Sequence, residues 1–377
     1  MKRVALLIET SNQSGRDILM GVGQYAEERN NWEIAHHPGD IGSPWEDWLQ
    51  EWRGDGIICR VHGPEMLPFL RSLDIPVVDV FGNYDSEQQF PVVHVEESLI
   101  GALGAQHLIE RGFRSFGFVG ISDEPFPDKR FDGFRSELKA QGIEASRIDV
   151  ERKALAGETE RIVSWLRGLE QPTGVMICSD IIAVEVYAAC LAAGYSIPAE
   201  VALVSVDNDE VQTRLLRPPL SSIDANHSRI GYEAARFLGR MMNKKNWRKT
   251  SEAVVEIPPN SVKIRQSSDT FATPDPVTAR AIGFIQQNAC EKINNDEVAR
   301  AAGASRSVLQ RKFRDQLGKT IHRVIAEERL NRVRRLLEDS DLPFIEIAEI
   351  CGYDSQQSLN RACAQEWSQT PRQIRGI

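Results

Sequence analysis

Short runs of consecutive apolar residues, rich in β-branched side chains, recur along the first 265 residues: Val4–Ile8, Glu33–His36, Gly56–Val61, Val77–Phe81, Phe116–Val119, Gly174–Cys178 and Val201–Val206. Runs of this length without polar alternation suit strands covered on both faces, as in a parallel sheet. Between them stand stretches with helical spacing, such as Arg16–Arg29, Ser98–Arg111, Arg130–Gln141, Ile181–Ala193 and Ser228–Asn243. The alternation predicts βαβ units. Two series of them, one before and one after about residue 110, predict two α/β lobes. Ligands bind such sheets at the carboxyl ends of the strands, so a two-lobed form places its site in the cleft between lobes.

The pattern then changes. Ser267–Pro276, SSDTFATPDP, has two prolines, two serines, two threonines and no periodicity, and reads as a linker. Beyond it only helical spacing remains, over Val277–Asn288, Asp296–Ala302, Arg306–Leu317, Ile321–Glu338, Pro343–Cys351 and Gln356–Trp367. The predicted organisation is a two-lobed α/β domain over 1–266, a linker over 267–276 and an all-α domain over 277–377.

Two stretches of the helical region share one layout. In Asn295–Gly318, Val298, Ala299 and Ala302 form an apolar face and Gly303 a tight turn. Ser305 then suits the N-cap of a second helix that buries Leu309 and Phe313 at i, i+4. Its outer face carries Arg306, Ser307, Gln310, Arg311 and Arg314. Phe344–Trp367 repeats this: Ile345, Ile347, Ala348 and Ile350, a turn at Gly352, a cap at Ser355, and Gln356, Gln357 and Arg361 outward. Ala326–Glu338, with Arg329, Arg332, Arg334 and Arg335, connects them. Each unit follows helix–turn–helix grammar, with Arg and Gln suited to G and A edges. A plain helical hairpin explains one such unit as well as a DNA reader does; two in tandem favour the DNA reader.

Composition narrows the classes. With 41% hydrophobic and 26% charged residues, the chain has material for packed cores and is not a disordered protein. No apolar stretch approaches the roughly 20 residues of a spanning helix. The N-terminal apolar run stops at Glu9, too soon for a secretory signal. Six cysteines show no CxxC or zinc spacing, and Cys178 reads as a buried thiol, which together fit a reduced, cytoplasmic setting. The seven histidines, His36 and His37 adjacent, show no metal spacing and read as ordinary. Trp45, Trp48 and Trp52, at i, i+3 and i+7, read as a packed helix stripe rather than an aromatic ligand platform. No nucleophile elbow, phosphate loop, dinucleotide fingerprint or metalloprotease motif is present, which excludes the common enzyme classes and leaves no cofactor or metal to expect. Net charge is −9, but it divides unevenly: residues from Val277 onward hold 16 basic against 13 acidic, the preceding ones 29 against 41. A mildly basic tail on an acidic body suggests a polyanion partner for the tail.

At this point the residues resemble known families. Gly303 and Ser305, Leu309-x-Arg311-x-Phe313, Gly318, Glu328-Arg329-Leu330, Ile347-Ala348 with Gly352-Tyr353, and Thr370-Pro371 with Arg375 resemble the DNA-binding domain of AraC/XylS regulators. The resemblance implies that Ser307, Gln310 and Arg311 meet one major-groove segment. Gln356, Gln357 and Arg361 would meet the next, about one helical turn away. Lys312, Arg314 and Lys319 read equally as phosphate partners or solvated charge. Cys363 and Ala364 depart from the family, which usually has an aromatic and a basic residue there.

The body resembles the effector domain of LacI/GalR repressors and periplasmic sugar-binding proteins. The likeness is carried by GFRSFGFVG at Gly112, Arg130-Phe-Asp-Gly-Phe134, the stretch Cys178–Asp209, and LLRPPLSSIDANHSRIGYEAA at Leu215. That family's N-terminal DNA-binding headpiece has no counterpart here, since the first strand begins at residue 4. DNA reading is expected at the C-terminal side. Together the resemblances imply a cytoplasmic transcription regulator of sugar-catabolism genes. They imply a small sugar effector, D-xylose favoured over another pentose or a hexose, and sequence-specific double-stranded DNA. A homodimer is implied, with RNA polymerase a further partner and activation favoured over repression. For the sugar, Asp180 and Asp207 follow β-type runs and can each accept two hydroxyls, and Arg130 matches the family's cleft arginine. From the first lobe Glu9, Arg16 and Asn83 join them. Helix capping by the aspartates and lobe bridging by Arg130 are the competing roles.

Overall fold

The computed structural model describes residues 1–29, 31–36, 48–49, 52–84, 90–152, 157–244, 247, 253–270, 272–273 and 275–375. Trp45 and His37, and Phe271 and Pro274 of the linker, lie outside these. The contacts divide the chain into an α/β unit, Met1–Tyr195 with Val201–Thr270, and a helical unit, Phe271–Ile377 with Ser196–Glu200.

The α/β unit holds two six-stranded sheets. Strands β1 (Lys2–Leu7), β2 (Trp32–His36), β3 (Gly56–Cys59), β4 (Val77–Asp79) and β5 (Val92–Val95) form most of the first, all parallel. Strands β6 (Ser115–Ile121), β7 (Ser146–Val150), β8 (Thr173–Ile177), β9 (Val201–Val206) and β10 (Ser221–Ile223) form most of the second, also parallel. Two late strands finish the edges. β11 (Val254–Ile257) pairs with β5, and β12 (Val262–Lys263) pairs antiparallel with β10. The continuous apolar runs became central strands because both faces are covered, as the full burial of β3, β8 and β9 records. Strands β5, β7, β10, β11 and β12 carry no such signal: His94 interrupts one, β7 is half exposed, and the others are short edges or serine-rich.

Eight helices cover these sheets among the described residues: α1 (Gln13–Arg29), α2 (Met66–Ser72), α3 (Glu97–Glu110), α4 (Phe126–Lys139), α5 (Thr159–Arg167), α6 (Ala183–Ala193), α7 (Glu210–Leu215) and α8 (His227–Met242). The lobes do not divide at residue 110. The chain crosses between them three times, after β5, β10 and β11, so α3 belongs to the second lobe while α8 and β11 return to the first. Each lobe pairs two helices backbone to backbone. A Cβ on Gly101 of α3 would lie 1.8 Å from Arg130 O on α4, and one on Gly21 of α1 would lie 1.9 Å from Ser228 O on α8. Only glycine permits so close an approach.

The stretch with linker composition begins inside the α/β unit. Ser267 and Ser268 are fully buried there, because their hydroxyls and carbonyls find partners on β9, β10 and α3, described below.

The helical unit comprises α9 (Pro276–Asn288), α10 (Asn295–Ala301), α11 (Arg306–Leu317), α12 (Ile321–Asp339), α13 (Phe344–Ile350), α14 (Gln356–Trp367) and α15 (Pro371–Arg375). The expected caps are present. Ser305 accepts from Val308 N, Ser355 from Ser358 N, and Gly303 and Gly352 make their turns at φ +69° and +76°. Two cores result. Leu309 and Phe313 pack with Ala281, Ile285, Val298 and Ile325, whereas Leu359 and Cys363 pack with Val333, Leu337, Ile347 and Ala348. The connecting helix α12 contributes to both, so each helix–turn–helix unit is built on half of it.

Candidate ligand cleft and nucleic-acid interface

A cleft of about 700 Å³, its open mouth included, lies between the lobes. Its walls come from strand carboxyl ends: Arg60 and His62 after β3, Val80 and Phe81 after β4, Ile121 at the end of β6 and Glu124 after it, Arg152 after β7, Ser179 after β8 and Asp207 after β9. Helix starts add Asn12, Ser14, Glu97, Phe126, Arg130 and His227. This is where parallel strands leave backbone groups and loops open to a ligand.

Arg130, 4% exposed, organises the second lobe's wall. Its Nε donates to Glu97 Oε2 at 2.5 Å, its Nη1 donates to Cys178 O, and its guanidinium lies 4.5 Å from the Phe126 ring centroid. Asp207 stands opposite at φ 101°, a left-handed conformation uncommon for a non-glycine residue. Its Oδ2 accepts from Ser179 Oγ at 2.7 Å and its Oδ1 lies 3.2 Å from His227 Nε2. Burial would raise its carboxyl, but the His227 hydrogen bond and the charge of Arg130 hold it well below the usual range. It is a fixed anion.

The other four residues named from the sequence stand outside the cleft lining. Glu9 lies behind it, bonded to Arg60 Nη1 and 3.2 Å from His62 Nε2, and so aims those two side chains. Burial opposes its ionisation, yet Arg60 and then His62 hold its carboxyl down at about 2. Arg16 is taken up by Thr10 O, Ser11 O and Gln13 Oε1, and reaches Asp209 Oδ2 across the lobes at 3.6 Å. Asn83 follows β4, and its buried Nδ2 has no partner among the described residues. Asp180 accepts from Ser222 Oγ and, at 2.7 Å, from Asp209 N; burial and then the charge of Asp207 push its carboxyl up to about 8. By accepting from Asp209 N it secures the loop behind Asp207, and in its protonated form it adds no second buried negative charge beside that anion. The helix cap in this region is Asp209, which accepts from Val211 N and Gln212 N at the start of α7.

Sequence reading missed Arg60, His62, Glu97, Phe81, Phe126, Ser179 and His227, and treated three cleft histidines (His62, His94, His227) as ordinary. The usable signal was position: Arg60 and His62 fall at the carboxyl end of a recognised strand. Two of these lining residues keep a buried nitrogen, Arg60 Nε and His227 Nδ1, without a partner among the described residues. The lobes also touch through a 3.5 Å contact from Tyr84 Oη to Glu124 Oε2. Such long polar contacts are weak and break easily.

In the helical unit α11 presents Ser307, Gln310, Arg311 and Arg314 outward with Leu309 and Phe313 buried. On α14 Gln357 and Arg361 are exposed and Gln356 half-buried, and Asn360, not singled out before, shares their face. Lys312 is held by Asp275 at 2.5 Å and Lys319 by Glu327 at 2.9 Å, so both serve helix packing. Arg323 grips Glu366 with two bonds of 2.8 and 2.9 Å, tying α12 to α14. Cys363 is fully buried and Ala364 exposed on the outer face, so the departure from the family pattern fills the core with a smaller residue and leaves the surface uncharged.

Family models match three parts of the chain: an XylR N-terminal domain over residues 3–97, a periplasmic binding protein-like domain over 105–268 and a helix-turn-helix domain over 298–376. The chain is 29% identical to the xylose operon regulatory protein of Haemophilus influenzae, covering 99% of this chain and 98% of that one. It is 28% identical to that of Escherichia coli K12, covering 100% and 97%. A solved structure of XylR, a xylose-binding transcription activator, superimposes with a TM-score of 0.85 at 26% identity over 100% of this chain and 98% of that one. A complex of the regulator CelR with cellobiose, at 22% identity and a TM-score of 0.59 over 71% of this chain and 85% of that one, shares the fold of the α/β unit. With both halves matched in order and end to end, the chain has the make-up of the XylR-like regulators, a periplasmic-binding-protein-like domain followed by an AraC-type helix–turn–helix domain, which is that of a DNA-binding transcription regulator rather than an enzyme.

Proposed function

We propose that this regulator senses D-xylose in the interlobe cleft and activates sugar-catabolism genes from the cytoplasm. The observation that carries the reading is the full-length likeness to xylose operon regulators, joined to a cleft whose cations are already matched by anions. Arg60 is paired with Glu9, Arg130 with Glu97, and Arg152 lies 3.5 Å from Glu124. Such a cleft offers hydrogen bonds to a neutral polyol rather than a net charge to an acid. Phe81 and Phe126 supply apolar faces for sugar C–H groups. Arg130 and Asp207 are the direct partners of the ring hydroxyls, joined by His227 and Arg60. Glu9, Asp180 and Arg16 support them from behind, and Asn83 from the adjoining loop.

DNA is read by Ser307, Gln310 and Arg311 in one major groove and by Gln356, Gln357 and Arg361 in the next. The α/β unit senses and the helical unit reads, with RNA polymerase engaged at the promoter. The active form is a homodimer. In support, α6 exposes Val184 and Leu191 and α7 exposes Val211 and Leu215, apolar side chains of the kind a second copy covers.

A thermal-shift titration with D-xylose, L-arabinose, D-ribose, D-glucose and D-galactose tests the sensor. A ligand of the folded state stabilises it by about 2.7 kcal/mol at a hundredfold excess over Kd. The expected result is a shift with D-xylose alone. A shift with a different sugar would reassign the effector, and none with any would overturn sugar sensing.

A further inference from the structure

Helix α3 joins two places that each have a function of their own. At its first turn Glu97 lines the cleft and holds Arg130. About 15 Å away for His107 and about 20 Å for Arg111, at 1.5 Å per residue, these two residues hold the stretch where the chain leaves the α/β unit. Arg111 Nη1 donates to His107 Nδ1 at 3.0 Å, which leaves the ring hydrogen on Nε2 to be donated to Ser268 Oγ at 2.7 Å. Ser268 Oγ donates to Ser221 Oγ at 2.8 Å, and Ser221 Oγ to Arg265 O at 2.8 Å. Arg111 Nε binds Ser268 O at 2.6 Å. Ser267 is fastened as fully, its Oγ donating to Leu203 O at 2.6 Å and accepting from Ser221 N at 2.8 Å. Burial and the neighbouring charge of Arg111 push the His107 ring down to about 3, so it stays neutral and the direction of these bonds is fixed.

A second connection reaches the same stretch. Asn208, next to Asp207 and like it in the left-handed region, accepts from Arg265 Nη2 at 2.7 Å. Both cleft carboxylates that meet Arg130 are thus connected, one through a helix and one through a loop, to residues 265–268. Gly101 and Gly133 let α3 and α4 lie backbone to backbone, and the hydrogen bonds along α3 make it a rigid element through which a displacement at Glu97 is carried to its far end. Buried hydrogen bonds of this kind are kept or lost as a set, because an unpaired buried polar group is costly.

We propose that residues 265–268 are the output of the sensor, and that His107 is a positioning residue coupling the cleft to the segment that continues into the DNA-reading unit. The proposal rests on the sugar-sensing reading above. In the full-length protein, His107→Leu is expected to keep its affinity for D-xylose and for promoter DNA without sugar. The ratio of DNA affinities with and without D-xylose, ordinarily about 5- to 150-fold for an allosteric protein, should fall to about one. His107→Gln, which retains a side-chain N–H for Ser268, should restore most of it. Full sugar dependence in His107→Leu, with only a lower Tm, would overturn the proposal and leave His107 a packing residue.

A sugar-free measurement separates this from failure of the xylose reading. Glu97→Gln should raise amide hydrogen exchange in residues 261–270 of the otherwise native chain, and should add nothing when combined with His107→Leu. Unchanged exchange in the single variant would overturn the coupling whatever the effector proves to be.

Discussion

At the scale of single residues the cleft is an exercise in holding charges still. Glu9 touches no part of the cavity surface, yet it fixes Arg60 and His62, which do. Its lowered pKa gives that role a pH signature. A carboxyl whose folded pKa lies below its unfolded one stabilises the fold above the unfolded value and ceases to as pH falls through the folded one. Glu9→Gln should therefore lower stability by up to about 3 kcal/mol at pH 7. The difference from the native chain should shrink as pH drops from about 4.5 towards about 2, and urea unfolding at a series of pH values measures it. Arg130 and Asp207 were legible because they follow recognisable runs and match a family pattern. Arg60 and His62 carried only the signal of their place at a strand end, and His227 not even that, since a side chain's exposure to a cleft depends on which strands become neighbours, and sequence spacing does not record that.

At the scale of elements, close packing decides more than propensity. Gly101 and Gly23 are both interior helix glycines, but a Cβ on Gly101 meets Arg130 O whereas one on Gly23 meets nothing within 4 Å. Gly101→Ala should cost about 1–3 kcal/mol or more through overpacking, whereas Gly23→Ala should gain up to about 1 kcal/mol from helix propensity. Opposite shifts in Tm would register the contrast. The helix–turn–helix units were legible almost to the residue, because caps, turn glycines and i, i+4 apolar pairs are local. The outer face of α11 carries the matching functional prediction. Arg311→Ala should weaken binding to a cognate promoter fragment by about 1–3 kcal/mol, and to random duplex by much less. Equal losses in a titration of the two would make it a phosphate contact.

At the scale of the whole molecule, the α/β class and the helical tail were legible, and the division of the lobes was not. Sequence order suggested a break near residue 110, but lobe membership depends on which sheet a late strand joins, and β11 and α8 join the first. The exposed apolar side chains of α6 and α7 have their own test. Leu191 is 67% and Leu215 72% exposed, a cost that a partner surface removes. The native chain should sediment at twice its monomer mass, and the pair Leu191→Glu and Leu215→Glu should sediment as a monomer with an unchanged far-ultraviolet spectrum.

The crossings between lobes also carry a consequence for synthesis. Residues 254–263 supply an outer strand to each sheet, β11 beside β5 and β12 beside β10. Until the ribosome has released them, β5 and β10 stand as unpaired edges, the feature most prone to wrong pairing. The helix–turn–helix units emerge only afterwards, at about 5–20 residues per second. A nascent chain therefore completes the part that recognises a small molecule seconds before it possesses the part that recognises a gene, and an mRNA cut short before residue 254 yields two unfinished sheets rather than a smaller sensor.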